Sequence, residues 1–361
     1  MRIFQNSGIY RSYKPRLASL TRECKTFSEA IDAFLNDRFG AAHFLQPILQ
    51  HDDAAFFTNG DDRFSQRLWA HENGLPPTVS LEDILRAQIE HHRADVFYNM
   101  DPMRYGDEFL TTLPGCVRRS IAWRAAPSDG GRFLTHDVIV NNFPTLLDSY
   151  RAQGAQAEYL SPAHDPEMDN YALRHERPVD VLFVGTFSRH HRVRSAMLEA
   201  IANLRGEMEV VMHLDISRYT WLAETPLGLV GPLRKDRRSP GIHAVARSPV
   251  FGRDLLTALS QAKIVVNGAI DMAGLDRGNM RIWEALGCGA TLISDCGNYP
   301  QWIHPGKHFA EYTDASDVPA MIRLLFRDEG KQKSLADAGR EMIRNYYSKA
   351  LQWRRFQEIA S

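Results

Sequence analysis

The chain has 361 residues, enough for two domains of ordinary size, and its 44% hydrophobic and 10% aromatic content fills two cores and argues against disorder. With 43 basic and 44 acidic residues the formal net charge is −1, which excludes a general field for nucleic acid or an anionic membrane; local basic clusters remain at Arg189–Arg194 and Arg234–Arg238. No apolar run reaches the roughly 18 residues that span a bilayer. The start, Met1-Arg2-Ile3-Phe4, reads as a strand rather than a signal peptide, and the four cysteines have neither C-x-x-C nor a cysteine–histidine metal spacing. A reducing cytoplasm is the expected setting, with peripheral membrane contact left open.

Taken in chain order, short apolar strands are expected at Arg2–Phe4, Ala54–Thr58, Asp95–Asn99, Val117–Trp123, Asp137–Val140 and Ala157–Leu160. Helices lie between them. One begins at Ser80, with Asp83 three residues on as its capping acid and Leu81, Ile84, Leu85 and Ile89 on one face. Another begins at Pro144 and ends near Gly154. This alternation predicts a parallel sheet covered on both faces. The proline-bearing, charged stretch Ser161–Pro178 breaks the pattern and reads as a linker. A second α/β series follows, with strands at Val179–Val184, Glu209–His213, Leu227–Val230, Lys263–Asn267 and Thr291–Ser294. Helices over Asp317–Phe326, Lys331–Tyr346 and Leu351–Ile359 close the series. Two doubly wound domains place a ligand at the carboxyl ends of their strands, in a cleft between them.

The densest local signal is Asp276–Ala290. A strand precedes it, another follows, and between them a short helix opens at Gly278-Asn279 and ends at Gly287. Asn279 is a good N-cap, and the helix opening offers backbone N–H groups to an anion. Glu284, one turn inside, is too deep to cap and suits the two hydroxyls of a ribose. Upstream, the small-residue stretch Val184-Gly185-Thr186-Phe187-Ser188 follows a strand end and lets backbone approach a phosphate. Arg189 and Arg192 come next, and the guanidinium fork suits a diphosphate. Asp-x-Asp, a common metal-holding pattern, occurs nowhere.

The strings Phe251-Gly252-Arg253-Asp254-Leu255, Ala262-Lys263-Ile264-Val265-Val266-Asn267 and Arg281-Ile282-Trp283-Glu284-Ala285-Leu286-Gly287-Cys288-Gly289 resemble the C-terminal half of GT-B glycosyltransferases, nearest the CgeB-like group. The resemblance runs over roughly Val179–Glu358, and more weakly over Asp137–Asp165. It implies two Rossmann-like domains facing a central cleft: residues 1–161 on the acceptor side, a linker at 162–178, a donor domain at 179–346, and a terminal helix at 347–361 that crosses back to the first domain. It also implies a nucleotide-diphosphate sugar as co-substrate, an acceptor of unspecified kind, a part in cell-surface glycan synthesis and no metal or other cofactor. The family's retaining members carry two glutamates, which fall eight positions apart on Asp276 and Glu284 here. Glu284 matches the ribose-holding one, and Asp276, one methylene shorter than the other, is a candidate catalytic carboxylate. The donor-binding set implied is Gly185, Thr186, Arg189, Arg192, Gly278, Asn279, Arg281 and Glu284, with Arg192 the better match for the family's basic residue.

On the acceptor side, residues just past strand ends are the candidates: Asn6, Ser7 and Gly8, and Trp123. Tyr10 and Tyr105 are further stacking surfaces. Asp101 is the candidate catalytic base if the reaction inverts the anomeric centre. His136 and Asp137 precede a strand and read as structural. Two other readings stay open. A nucleotide-sugar epimerase would draw on His213, Asp215 and Asp271. A non-catalytic sugar-nucleotide binder would keep the donor site alone.

Overall fold

The computed structural model describes all residues except 129–130, 188–191, 230–231 and 269–273, and leaves aside the side chains of 192, 227, 229 and 235. The chain divides into two compact units. The first holds Met1–Pro162 together with Lys349–Ser361, and the second holds Ala163–Ser348.

The first unit is built on a six-stranded, all-parallel sheet. Its strands are β1 (Ile3–Asn6), β2 (Ala55–Thr58), β3 (Val96–Asn99), β4 (Arg119–Trp123), β5 (Val138–Asn141) and β6 (Ala157–Tyr159), in the order β2-β1-β3-β4-β5-β6. β1, β3 and β5 are buried along their whole length, so β3 and β5 read as apolar runs up to their terminal asparagines, whereas β1 buries Gln5 and Asn6 as well. Helix α1 (Phe27–Asp37) is held at its start by a reciprocal Thr26–Glu29 capping box and buries Phe27, Ile31, Phe34 and Leu35. In α2 (Leu81–His92) the Ser80 hydroxyl accepts from the Asp83 amide at 3.0 Å and also meets the Asp83 carboxylate at 2.6 Å. Helix α3 (Pro144–Ala152) starts on its proline, and Gly154 after it takes a left-handed φ of 88°.

The second unit repeats the plan. Its strands are β7 (Val179–Phe187), β8 (Val210–Ile216), β9 (Ala246–Arg247), β10 (Ala262–Val266), β11 (Thr291–Asp295) and β12 (Ala310–Tyr312), all parallel, in the order β12-β11-β10-β7-β8-β9. Its helices include α4 (Arg192–Ala202), α5 (Gly252–Ser260), α6 (Met280–Gly287), α7 (Val318–Arg327) and α8 (Glu329–Tyr346). Successive residues of β7 feed opposite cores. Val181 and Phe183 join Met197, Leu198 and Ile201 of α4, whereas Leu182 joins Leu255 and Leu259 of α5, Ile282 and Trp283 of α6 and Ile343 of α8.

Two expectations differ from the structure, and two short strands fall outside them. Pro226–Leu229 is a 3₁₀ turn, not a strand, because Pro226 has no N–H for a ladder and the Gly228 amide closes back on Thr225 at 3.0 Å; Val230 lies outside the described residues. The edge strand there is the two-residue β9. β12, three residues long, is not among the expected strands. The stretch Ser161–Pro178 is also more than a connector. Ala163, His164, Asp165 and Met168 are buried, and Met168 opens a short helix, Met168–Ala172.

The final helix, α9 (Lys349–Ala360), belongs to the first unit. The Lys349 ammonium is buried and donates to the carbonyls of Ala41 and Phe44 at 2.6 and 2.7 Å. Gln352 donates to Ala42 and Ser161, and the Phe356 ring meets Tyr98 at 4.9 Å between centroids.

Candidate functional site

Each sheet reverses its strand order once, between β1 and β3 in the first unit and between β7 and β10 in the second. Ligands of doubly wound sheets bind at the carboxyl ends of such neighbours.

In the second unit, β7 runs further than its apolar residues suggest. Gly185, Thr186 and Phe187 pair with Leu214, Asp215 and Ile216, so Gly185 and Thr186 are strand residues at the carboxyl end rather than loop residues. A Cβ on Gly185 would meet the Phe183 ring at 3.0 Å. Arg189 lies outside the described residues, and so does the side chain of Arg192, which begins α4.

Across the reversal, Asn279 is the N-cap of α6 by its backbone, with φ −69° and ψ 148°, but its side chain does not cap. Instead its amide pairs with that of Asn267, giving 2.8 Å in one direction and 3.2 Å in the other, and Asn267 also donates to Ser294 at 2.9 Å. This ties the exit of β10 to the opening of α6 and leaves the first-turn amides of α6 without a side-chain cap. Glu284 is buried, as its depth in the helix implies, and its Oε2 accepts from Arg281 Nη1 at 2.6 Å. A ribose at Glu284 would therefore meet a carboxylate already in an ion pair, rather than one with both oxygens to give. Asp276 is buried too, in an isolated strand-like bridge with Asn298. Beside it Arg277 forms a half-buried ion pair with Asp295 at 2.6 Å. The segment around Gly278 is thus anchored to the exit of β11.

In the first unit, the strand ends carry a hydrogen-bond chain. Asn6 and Asn99 stand in register on β1 and β3, and Asn6 Nδ2 donates to Asn99 Oδ1 at 3.1 Å. Asn6 Oδ1 accepts from the Gly60 amide, Asn99 Nδ2 donates to the Tyr105 carbonyl, and the Tyr105 hydroxyl donates to the Gly60 carbonyl at 2.6 Å. Asn6 and Tyr105, expected to face a sugar, are buried supports of these loops instead. Ser7 donates its amide to Thr58. Gly8 is needed for close approach: a Cβ there would stand 2.9 Å from the Asp101 carboxyl.

Around these supports two carboxylates converge. Asp101, two residues past β3, receives Arg104 Nε at 3.2 Å. Asp61, past β2, receives the Ile9 amide at 3.0 Å, with Lys14 and Arg104 at 3.8 and 3.9 Å. Asp61 is the deeper of the two, its side chain 3% exposed against 22% for Asp101. Burial pushes the Asp61 carboxyl above its ordinary pKa, and the negative charge of Asp101 adds to it. Burial raises Asp101 as well, with Arg104 opposing. Asp61 was missed from sequence, where it sits beside the helix-capping Asp62.

Trp123, at the end of β4, faces His43 with ring centroids 4.3 Å apart. Burial drives His43 down to about 3, helped by the Lys349 charge, so its ring is neutral. His136 precedes β5, yet its Nε2 lies 3.3 Å from Asn99 Nδ2; burial lowers it too, in keeping with a structural part. His213 stands in mid-strand opposite Val184, held by the Ser248 carbonyl at 2.6 Å; Asp215 pairs with Thr186, and Asp271 lies outside the described residues. Among the described residues, no three His, Cys, Asp or Glu side chains gather as a metal site, and no helix is long and apolar enough to cross a membrane.

Residues 194–358 match the family model described as "Glycosyl transferase-like". Solved structures match the whole chain in fold. Alr3699/HepE of Anabaena, crystallised with UDP and glucose, is 14% identical with a TM-score of 0.60, over 99% of each chain. A glycosyltransferase from Rickettsia africae is 13% identical with a TM-score of 0.55, over 99% of this chain and 97% of that one. Sucrose-phosphate synthase of Thermosynechococcus elongatus is 12% identical at 0.51, over 77% and 76%. A search of curated proteins finds no match. The structures supply the fold, which is GT-B, and residues 194–358 carry the match to the glycosyl transferase-like family.

Proposed function

We propose that this protein moves a glycosyl group from a nucleoside-diphosphate sugar, with UDP-glucose the first donor to test, to an acceptor hydroxyl. The donor binds the second unit and the acceptor binds the first. The observation that carries this reading is the β7/β10 reversal, where the α6 opening has no side-chain cap and the Arg281–Glu284 pair lies one turn inside. An uncapped helix start attracts the diphosphate, and Glu284 takes a ribose hydroxyl. We assign Gly278, Asn279 and Arg281 to that wall and Gly185 and Thr186 to the strand end beside it; Arg189 and Arg192 are assigned to the diphosphate from the sequence alone. The HepE complexes with UDP and with UDP-glucose support a uridine nucleotide.

On the acceptor side, Asp61 and Asp101 are the polar groups we assign to a sugar or other polyol, with Ser7, Gly8 and Trp123 around them. A carboxylate kept above its ordinary pKa by burial is suited to hold or take a hydroxyl proton. Asp276 supports backbone in this reading and is not a reacting group. Charge on the leaving diphosphate is met by arginine and helix rather than by a divalent ion. Cytoplasmic residence and a part in surface-glycan synthesis accompany this assignment.

Calorimetry with UDP, GDP, dTDP and CMP, followed by product analysis with the bound nucleotide's sugars, tests the proposal. Binding of one nucleoside diphosphate and transfer to an added acceptor is the expected result. Absence of binding across the panel overturns it. Turnover that vanishes in EDTA and returns with magnesium or manganese overturns its metal-free part.

A further inference from the structure

The basic cluster Arg189–Arg194 runs into α4, whose third residue is Arg194. Arg194 is 7% exposed, so its charge is committed to the interior. Its Nη2 donates to the carbonyl of Gly268, just past β10, and its Nη1 donates to the carbonyl of Thr186, near the end of β7, at 3.4 Å. Its guanidinium carbon lies 6.0 Å from the Phe183 ring centroid, a cation–π contact. One side chain therefore grips both strands that border the order reversal. In the same core, the buried Tyr312 hydroxyl donates to the carbonyl of Asn267 at 3.2 Å, so two consecutive carbonyls after β10 are held. A Cβ on Gly268 would meet that hydroxyl at 3.1 Å, so the backbone has little room to shift toward it.

We propose that Arg194 is a positioning residue for the nucleoside diphosphate. Carbonyl oxygens at strand ends carry partial negative charge and would repel a phosphate. By engaging the oxygens of Thr186 and Gly268, the guanidinium neutralises them and fixes the two chain exits between which the anion sits. Its forked donors reach oxygens on two separate strands, which a single ammonium does less well. A fixed buried positive charge at this point adds attraction that solvent does not screen. The inference rests on the second unit being the donor-binding unit.

The test compares wild type with Arg194→Lys and Arg194→Gln, titrated with UDP and with UMP. Arg194→Gln should weaken UDP about tenfold or more and UMP much less, because the β-phosphate loses its seat. Arg194→Lys keeps charge but not the fork, and should fall nearer to Arg194→Gln than to wild type. In Arg194→Ala, guanidinium ion at non-denaturing concentration should restore part of the UDP preference over UMP, which a purely structural role does not predict. Unchanged UDP affinity in folded Arg194→Gln overturns the inference, as does wild-type behaviour of Arg194→Lys for the fork. If Arg194→Gln does not fold, the guanidinium arm decides: restored melting temperature without restored UDP preference overturns it. Wild-type binding of UDP is the control; if wild type binds no nucleoside diphosphate, the donor reading itself falls and takes this inference with it.

Discussion

At the scale of single residues, the donor-side assignment turns on Glu284. Replacing it by Gln keeps volume but removes charge-assisted hydrogen bonding of about 1.5–3 kcal/mol, so UDP should bind roughly tenfold or more weakly, with circular dichroism unchanged. Unaltered affinity removes Glu284 from the site. Asp61 and Asp101 answer to a different measurement. Asn at either position should leave UDP affinity intact and lower turnover, by roughly a hundredfold if the carboxylate handles the acceptor proton. A variant that loses donor affinity as much as turnover speaks against an acceptor-side part. The depth of Glu284 in α6 was legible because helix, glycines and carboxylate lie in one string. Asp61 was not, because only the sheet order brings the end of β2 beside those of β1 and β3. The Arg281–Glu284 pair was within reach of the spacing, since residues three apart share a helix face.

At the scale of elements, the strands that read well are fully buried apolar runs, such as Val96–Asn99 and Val138–Asn141. What escaped was short or ambiguous. β9 has only two residues, β12 is three residues of mixed character, Ala-Glu-Tyr, and the apolar Leu227–Val230 run reads as a strand because such runs do not declare their geometry. Helix α9 carries two predictions. Lys349→Met leaves the carbonyls of Ala41 and Phe44 without their ammonium and should cost about 2–4 kcal/mol, read as a lower urea midpoint. Nearby, His43 makes stability depend on pH. Its folded pKa is lowered, to about 3 from an ordinary 6.5, so its contribution is complete above pH 6.5 and is lost as pH falls toward 3. The loss is at most about 1.4 kcal/mol per pH unit. His308, driven down to about 4, and His92, His136, His164 and His213, also lowered chiefly by burial, act in the same direction. His43→Gln should therefore reduce the stability change between pH 7 and pH 5 by about 2 kcal/mol, whatever it does to stability at pH 7. An identical pH slope contradicts a neutral, buried His43.

At the scale of the whole molecule, the two units differ in continuity. Ala163–Ser348 is one uninterrupted piece, and the first unit is made of two. Expressed alone, residues 163–348 should fold cooperatively and keep nucleotide affinity, whereas residues 1–162 alone should be unstable, lacking the helix that covers Tyr98 and the Ala41–Phe44 carbonyls. Adding a peptide of residues 349–361 should raise the urea midpoint of that fragment; no response would mean α9 is dispensable to it.

The split first unit also has a consequence during synthesis. A ribosome releases the whole of β1–β6 first, then every strand of the second unit, and only afterwards the helix that completes the first sheet's surroundings. At the usual elongation rates that interval is roughly 10–40 s. For that time the Tyr98 surface waits for Phe356, exposed to whatever hydrophobic neighbour is at hand. The unit encoded second is thus the one free to fold first, and the nascent first unit is where a chaperone has the most to protect.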